Sequence, residues 1–351
     1  MKILVSGTAG GAGWPEPGCR CASCAGLPSG HRRPFELVVD GVARFPFDDP
    51  PSGYRARAGG LGLAGPDGSR LLCLPRGLPR GLPLGRPVPV DGPASYDVVL
   101  IDLLDRPERL GELRRAGLAD DRTAVVAVGL DHRIRSEEEL ARRLRLWGAS
   151  AVPDGTVLET GRALPGTAIG RQPGDGGATA PWRTLLLGGS RSGKSAEAEL
   201  RLAAEPYVTY VATGPSGAGD GEWAARVRAH RERRPAHWAT VETADLVSAI
   251  GQATAPLLID GLGTWLTAVF DEHGAWEGDR APVRERCDEL VAAWRQTPVR
   301  LVAVSDEVGM GVVPATPSGR AFRDALGRLN ERLAAESEYV ALVVAGRLLE
   351  L

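Results

Sequence analysis

The sequence predicts an α/β protein with two domains, the second of which contains a mostly parallel β-sheet with helices on both faces. From Thr184 onward, apolar strand-like segments alternate with helical segments, a pattern typical of a buried parallel sheet. A glycine-rich loop at residues 188–195 joins one of these strands to a helix. Residues 1–162 show a second α/β pattern, which a linker-like segment separates from the second domain.

The composition excludes several classes of protein. The chain has 351 residues, enough for two hydrophobic cores, and its 43% hydrophobic and 25% charged residues are typical of a globular protein. A formal net charge of -2 gives no electrostatic reason to expect nucleic acid as a partner. The sequence has no apolar run long enough to span a membrane, and its start reaches glycines too soon for a signal peptide. We therefore expect a cytoplasmic protein that does not insert into a membrane.

The first domain, residues 1–162, is predicted to regain regular structure after a stretch rich in glycine and proline. That stretch, residues 46–93, predicts short strands and loops. The predicted regular elements are strands at residues 3–5, 96–102 and 124–128 and helices at residues 108–116 and 136–147. Ser136 and Glu139 have the spacing of a capping box at the start of the last helix. Residues 163–181 are rich in Gly, Pro and small residues without apolar periodicity, which predicts an interdomain linker.

In the second domain, residues 182–351, predicted strands and helices alternate. The strands are predicted at residues 184–187, 208–212, 256–260, 299–305 and 339–344. The helices are predicted at residues 194–204, 222–233, 244–250, 283–296 and 320–336, with a further helix from Gly263 or Thr264. Strands joined in this way by helices favour parallel pairing.

The glycine-rich loop matches the phosphate-binding consensus G-x-x-x-x-G-K-[ST]. This phosphate loop consists of Gly188, Gly189, Ser190, Arg191, Ser192, Gly193, Lys194 and Ser195. In such a loop the backbone N–H groups bind phosphate, Lys194 bridges the β- and γ-phosphates, and the Ser195 hydroxyl binds Mg²⁺. Lys194 is informative because only it and Lys2 are lysines among 42 basic residues, and Arg cannot replace a compact ammonium here. We predict a site for ATP or GTP in which Lys194 is a catalytic group.

Asp260 is the predicted metal-facing acid. It ends an apolar strand segment, so its carboxylate is expected at the carboxyl edge of the sheet, beside the phosphate loop. There it would hold Mg²⁺ together with Ser195. The alternative is that Asp260 caps the following helix, and the two roles are compatible.

A segment rich in arginine and histidine follows the second strand of this domain. Arg226 and His230 share one face of the predicted helix. Three arginines cluster at its end, namely Arg231, Arg233 and Arg234. Neighbouring cations and burial favour the neutral imidazole of His230, whose lone pair is then able to attack a phosphorus atom. An ordinary solvated basic face is the alternative interpretation.

Together these features resemble one protein family, adenosylcobinamide kinase/adenosylcobinamide-phosphate guanylyltransferase. The resemblance covers about residues 184–351 and rests on the phosphate loop and four further motifs. The motifs are Tyr210-Val211-Ala212-Thr213; the pattern from Glu222-Trp223 through Arg226, His230-Arg231, Arg234-Pro235, Trp238 and Thr240 to Glu242; the run from Val304 to Pro314; and Phe322-Arg323-Asp324 with Gly327 and Asn330.

The resemblance implies a RecA-like P-loop domain and a bifunctional enzyme of cobalamin biosynthesis. Such an enzyme phosphorylates adenosylcobinamide with ATP or GTP. It then transfers GMP from GTP to that phosphate through a GMP–histidine intermediate, giving adenosylcobinamide-GDP. By position His230 is that histidine, whereas His237 is expected to have a packing role. The nucleotide or metal contacts implied by position are Ala212, Thr213, Gly214, Arg231, Glu232, Arg233, Arg234, Glu242 and Asp260. The resemblance also implies a homotrimer.

Three positions depart from the family pattern. Trp223 replaces Met, Gly261-Leu262-Gly263 replaces Cys-Leu-Thr, and Asp306 replaces Asn. The last has the largest expected effect, because a carboxylate lacks the donors of an amide and repels an anionic ligand. We expect it to alter efficiency or nucleotide preference.

Three cysteines near the amino terminus indicate a structural zinc site. Cys19, Cys21 and Cys24 lie within six residues, and in a protein expected to be cytoplasmic such thiols favour a metal over disulfides. The residues leave the fourth ligand open among His31, Cys73 and His132. The alternative is that the cysteines hold no metal.

The first domain resembles the metallo-β-lactamase fold, specifically the branch related to phosphonate-pathway phosphodiesterases. The resemblance rests on the cysteine cluster, on the strand ending at Asp102 and on the turn Gly129-Leu130-Asp131-His132. It implies that His132 is the fourth zinc ligand. The H-x-H-x-D-H cluster of that fold is absent from the sequence, and Gly129 stands where a metal-binding histidine is expected. We therefore predict a truncated, catalytically inactive α/β domain.

Two other interpretations of the second domain stay open at this point. A general small-molecule P-loop kinase would use the phosphate loop and give His230 a structural role. A nucleotide-binding scaffold would be inactive because of Asp306 and the fused first domain. Covalent labelling of His230 by GTP separates the first interpretation from the bifunctional enzyme, and turnover of adenosylcobinamide separates the second.

Overall fold

The computed structural model describes residues 1–77, 95–162, 181–214 and 234–351. Within these ranges the chain forms two compact units, one from Met1–Thr179 with Ala203–Pro206 and one from Ala180–Leu202 with Tyr207–Leu351. Except for residue 181, the predicted linker at residues 163–181 lies outside the described residues, so the domain boundaries stay a prediction. None of the described helices is both long enough and apolar enough to cross a membrane.

The first unit contains two sheets and three described helices. Its strands are β1 (Lys2–Gly7), β2 (Glu36–Val39), β3 (Ala43–Arg44), β4 (Arg55–Arg57), β5 (Gly62–Ala64), β6 (Arg70–Leu74), β7 (Val98–Ile101), β8 (Ala124–Ala127) and β9 (Thr156–Glu159). Its helices are α1 (Ala22–Ala25), α2 (Glu108–Arg115) and α3 (Glu137–Trp147). One sheet has the antiparallel order β3–β2–β1–β9. The other has the order β4–β5–β6–β7–β8 and is parallel from β6 to β8.

The two sheets of the first unit share one hydrophobic core. Alternate residues of β1, including Ile3 and Val5, pack in the same buried cluster as Leu71 of β6 and Val98 of β7. Helix α3 begins where the sequence predicts, because the Ser136 hydroxyl accepts a hydrogen bond from the backbone N–H of Glu139 at 3.2 Å. The short strands β4, β5 and β6 lie in the stretch that the sequence predicts as short strands and loops.

The second unit contains one seven-stranded sheet. Its strands are β10 (Arg183–Gly188), β11 (Thr209–Ala212), β12 (Ala239–Glu242), β13 (Leu257–Asp260), β14 (Leu301–Asp306), β15 (Tyr339–Val344) and β16 (Arg347–Glu350). Its described helices are α4 (Lys194–Leu202), α5 (Leu246–Gly251), α6 (Leu262–Glu272), α7 (Ala281–Arg295) and α8 (Pro317–Ala335). The strand order is β12–β11–β13–β14–β10–β15–β16, with β16 antiparallel to β15 and every other pair parallel.

Hydrophobic clusters lie on both faces of this sheet, which confirms the predicted fold class. On one face Leu185 and Leu187 of β10 pack with Trp265 of α6 and Trp294 of α7. On the other face Leu186 packs with Ala198 of α4. The side chains of β10 alternate between the two clusters, so each face of the strand is buried under helices.

Parallel pairing brings the ends of six strands, β10 to β15, to the same edge of the sheet. The register sets Ala212 opposite both Glu242 and Asp260, and it sets Gly188 opposite Asp306. The phosphate loop therefore begins at the edge where β11, β12, β13 and β14 end. The predicted helix at residues 222–233 lies outside the described residues.

Candidate functional site

The phosphate loop is held against the turn between β15 and β16. The backbone N–H of Gly346 donates to the carbonyl of Ser192 at 2.7 Å. Gly193 has a φ of +100°, and a Cβ at this position would lie 3.2 Å from the Cα of Gly346. The backbone conformation therefore favours glycine at position 193, and a side chain there would also be in tight contact with Gly346. Arg191, with a φ of 57°, adds a second left-handed residue to the loop.

Lys194 points back along the loop and is almost completely buried. Its Nζ donates to the carbonyl of Gly189 at 3.0 Å and lies 2.8 Å from Oδ1 of Asp306. Only 9% of its side chain is exposed. The ammonium therefore has a fixed place beside the loop backbone, as a phosphate-binding lysine requires.

Asp260 links the phosphate loop to the end of β13. The Ser195 hydroxyl donates to its Oδ1 at 3.1 Å, and the Tyr210 hydroxyl donates to its Oδ2 at 2.6 Å. The capping interpretation of Asp260 is wrong, because the N-cap of α6 is Gly261, which has a φ of 111° and no side-chain cap. A carboxylate and a hydroxyl oxygen side by side fit the oxygen ligands that Mg²⁺ prefers.

Tyr210 lies between Asp260 and the cation of Arg234. Burial raises the pKa of the Tyr210 hydroxyl, and the neighbouring Asp260 charge and hydrogen bond raise it further. The hydroxyl therefore stays protonated and donates to Asp260 over the whole neutral range. The Arg234 guanidinium lies 3.7 Å from the centre of the Tyr210 ring, within the range of a cation–π contact.

Thr213 directly follows β11 and contacts the next strand connection. Its hydroxyl donates to the carbonyls of Gly261 at 2.7 Å and Asp260 at 3.3 Å. The described contacts of this hydroxyl thus hold the turn between β13 and α6. The residues Ala212, Thr213 and Gly214 lie at the same edge of the sheet as Asp260.

Comparison with known proteins matches this unit to one family. Residues 184–351 match the family described as cobinamide kinase / cobinamide phosphate guanyltransferase. Over 174 residues, or 46% of this chain and 95% of the relative, the sequence is 40% identical to the bifunctional adenosylcobalamin biosynthesis protein CobU of Salmonella typhimurium. The chain belongs to this family. It is also 37% identical over 177 residues to CobU of Escherichia coli, covering 46% of this chain and 95% of the relative. Identity to CobP of Pseudomonas aeruginosa is 42% over 172 residues, covering 47% of this chain and 94% of the relative.

Several residues predicted for the cobinamide kinase/guanyltransferase site lie outside the described residues. These are His230, Arg231, Glu232 and Arg233. Their roles stay predictions. Arg234, the first described residue after them, contacts Tyr210, and Glu242 is exposed at the end of β12.

Sequence reasoning missed two partners in this site. Tyr210 was part of a motif but had no assigned role, and its contact with Asp260 follows from the pairing of β11 with β13. The sequence predicts that Asp306 repels the ligand, but it gives no sign of the contact between Asp306 and Lys194. The adjacent strands β10 and β14 place it there, and local sequence patterns do not reveal strand order.

The first unit brings together the four residues predicted to bind zinc. The ligand atoms of Cys19, Cys21, Cys24 and His132 all lie within 4.8 Å of one another. His132 Nδ1 lies 3.6 Å from the Cys19 sulfur and 3.8 Å from the Cys24 sulfur. Tetrahedral zinc with its usual bond lengths separates nitrogen and sulfur ligands by about 3.6 Å, so the cluster fits this metal.

The other two candidates for the fourth ligand have different surroundings. His31 Nε2 lies 2.8 Å from the carboxylate of Glu137. Cys73 is fully buried in the core shared by the two sheets. The described geometry therefore favours His132 among the three.

Arg133 pairs with two carboxylates of the first unit, Asp102 and Asp131. Asp102 follows β7 and is 1% exposed, and burial raises its pKa although Arg133 opposes this. Arg133 donates to Asp102 at 2.9 Å and to Asp131 at 2.7 Å. One guanidinium thus pairs with both carboxylates and offsets part of their charge.

Proposed function

We propose that this protein phosphorylates adenosylcobinamide with ATP or GTP and then converts the product to adenosylcobinamide-GDP with GTP. The observation that carries the proposal is the joint position of Lys194, Ser195 and Asp260 at one edge of the sheet in a chain of this family. The family description names both activities, and the relative from Salmonella typhimurium is called a bifunctional adenosylcobalamin biosynthesis protein.

The first reaction is an in-line displacement at the γ-phosphorus. The substrate hydroxyl oxygen attacks, the bond to the β–γ bridging oxygen breaks, and the hydroxyl proton leaves to solvent. Lys194 and the backbone N–H groups of the phosphate loop stabilise the charge on the phosphates. Ser195 and Asp260 would hold Mg²⁺, which supplies further neutralisation of phosphate charge when bound.

The second reaction uses His230 as a nucleophile. A neutral imidazole nitrogen attacks the α-phosphorus of GTP, and the bond to the β-phosphate breaks with release of pyrophosphate. A phosphate oxygen of the phosphorylated substrate then attacks the same phosphorus and regenerates the histidine. Arg234, which follows His230 by four residues in the sequence, contacts Tyr210, and the Tyr210 hydroxyl donates to Asp260.

Labelling with GTP carrying radioactive α-phosphate tests the second reaction. We expect a covalent label that is lost in acid, survives base and disappears in His230→Ala, because it is a phosphorus–nitrogen bond to that residue. His237→Ala is the matched control and should keep the label. Absence of label in the unaltered protein, or its survival in His230→Ala, would contradict the proposal.

We also propose that Cys19, Cys21, Cys24 and His132 hold a structural zinc ion. Support comes from the grouping of the four ligand atoms within 4.8 Å of one another. Elemental analysis after purification without chelators should give about one zinc per chain. His132→Ala should lose most of it, whereas His31→Gln should keep it. A ratio near zero in the unaltered protein would rule the site out.

The remaining proposals rest on resemblance. We propose a homotrimer in the cytoplasm, and a first domain that is a truncated, inactive relative of the metallo-β-lactamase fold. The Arg133 pairs with Asp102 and Asp131 support the loss of activity. Sedimentation analysis of the full chain tests the trimer, and a mass of one chain would contradict it.

A further inference from the structure

Asp306 forms an ion pair with the lysine of the phosphate loop. It is the last residue of β14 and lies opposite Gly188 in the register of the sheet. Its Oδ1 is 2.8 Å from Lys194 Nζ. The Lys194 side chain is 9% exposed and the Asp306 side chain is 40% exposed. The ammonium is therefore buried, whereas the carboxylate is accessible to solvent.

The backbone of Asp306 is fixed by a buried hydrogen-bond chain. Its carbonyl accepts from Asn330 Nδ2 at 3.1 Å. The Oδ1 of Asn330 in turn accepts from the Ser305 hydroxyl at 2.6 Å. Ser305 and Asn330 are 0% and 4% exposed. The backbone that carries the Asp306 carboxylate is therefore held rigidly.

Gly263 provides the space that the Asp306 carboxylate occupies. A Cβ on Gly263 would lie 2.8 Å from Asp306 Oδ2, the nearest atom it would meet. Gly263 lies in the first turn of α6, and its backbone conformation is one that other residues adopt. A side chain at position 263 would therefore displace the carboxylate from its place beside Lys194.

A nucleotide must share Lys194 with this carboxylate. An ammonium has three N–H donors, and Gly189 and Asp306 already accept from two directions. An incoming phosphate finds the positive charge partly neutralised, and it meets a second negative charge within reach of the same ammonium.

We propose that Asp306 determines nucleotide affinity, because its carboxylate competes with nucleotide phosphate for Lys194 and so weakens nucleotide binding. The inference rests on the proposed nucleotide site and adds a determinant of its affinity. Because repulsion grows with the charge of the ligand, the effect is largest for metal-free GTP and smaller for the magnesium complex.

Calorimetric titration of the full chain with GTP, in chelator and in magnesium, tests this competition. Asp306→Asn keeps the shape and removes the charge, and it should bind metal-free GTP more tightly by on the order of tenfold. The gain should be smaller in magnesium. Asp306→Ala should change affinity in the same direction.

Asp288→Asn is the matched control. It makes the same change in net charge on α7, where Asp288 pairs with Arg332 at 2.7 Å, and its affinity should equal that of the unaltered protein. If the unaltered protein binds GTP and Asp306→Asn binds it equally or more weakly, the proposed competition is wrong, but the proposed nucleotide site still stands. A gain no smaller in magnesium than in chelator would also overturn the competition. No GTP binding by any variant would overturn the proposed nucleotide site as well.

Discussion

At the scale of single residues, the two aspartates of the phosphate-loop site have different partners. Asp260 accepts from two hydroxyls, whereas Asp306 pairs with an ammonium. The sequence predicts that Asp260 lies at this edge, because the residue ends an apolar strand. It does not predict which side chain each carboxylate meets, because that depends on β14 lying between β10 and β13.

Tyr210→Phe tests whether Tyr210 positions Asp260. The variant removes the donor that lies 2.6 Å from Asp260 Oδ2, so the carboxylate is oriented by one hydrogen bond fewer. We expect kinase activity to be about tenfold lower, as when other residues that hydrogen-bond to metal ligands are replaced. The magnesium concentration needed for half-maximal nucleotide binding should also be higher. Tyr207→Phe, at a tyrosine that is 54% exposed, should change neither. An unaltered magnesium requirement in Tyr210→Phe would show that the hydroxyl does not position Asp260.

Glu137 gives the first unit a pH-dependent contribution to stability. Burial raises the pKa of Glu137, but hydrogen bonds from Arg32 and His31 outweigh burial, and the pKa is lowered. A carboxylate with a lowered folded pKa stabilises the fold above its unfolded pKa, and the contribution is lost as the pH falls through the folded pKa.

Glu137→Gln should therefore lower the free energy of unfolding by about 1–2 kcal/mol at neutral pH, a range already reduced for partial exposure. The difference from the unaltered protein should shrink below about pH 4. Urea unfolding at pH 7 and at pH 3 measures both values. Glu112→Gln, at a half-exposed glutamate with a 3.8 Å ion pair, is the control and should have little effect at either pH. A difference that persists unchanged at pH 3 would rule out this linkage.

At the scale of elements, the sequence predicts the helices and strands that have strong local signals and misses strands whose signals are weak. The cap at Ser136 fixed the start of α3, and apolar runs revealed β10, β13 and β14. Strand β12 was missed because it has only four residues, all of them exposed, so no buried apolar run marks it. Strand β16 was missed because its hairpin depends on positive φ angles of 48° at Ala345 and 70° at Gly346, and Ala345 gives no turn signal.

The connection from β10 to α4 gives a prediction about the phosphate loop. Gly193→Ala places a methyl group against Gly346 on a backbone with a φ of +100°, so the loop must distort. We expect nucleotide affinity to fall by at least about tenfold, in line with a backbone cost of 1–3 kcal/mol. Gly327→Ala, in the helix α8 with open space around it, should bind nucleotide normally. Equal affinities of the two variants would contradict the described loop geometry.

At the scale of the whole molecule, the two units differ in how far the sequence explains them. The family covers residues 184–351, and there spaced motifs identify both fold and chemistry. In the first unit the class α/β and the three cysteines could be predicted from the residues. The residues alone leave the fourth member of the cluster open, because His132 lies 108 residues from Cys24 in the sequence and folding brings the two together.

The central claim is that one chain carries out both reactions, and the time course of products from adenosylcobinamide and GTP tests it most directly. Mass spectrometry should show adenosylcobinamide phosphate first and adenosylcobinamide-GDP next. In His230→Ala the phosphate should accumulate without conversion, because the kinase step does not need the histidine. Formation of the GDP derivative by His230→Ala at the normal rate, or the absence of both products with the unaltered protein, would contradict the account.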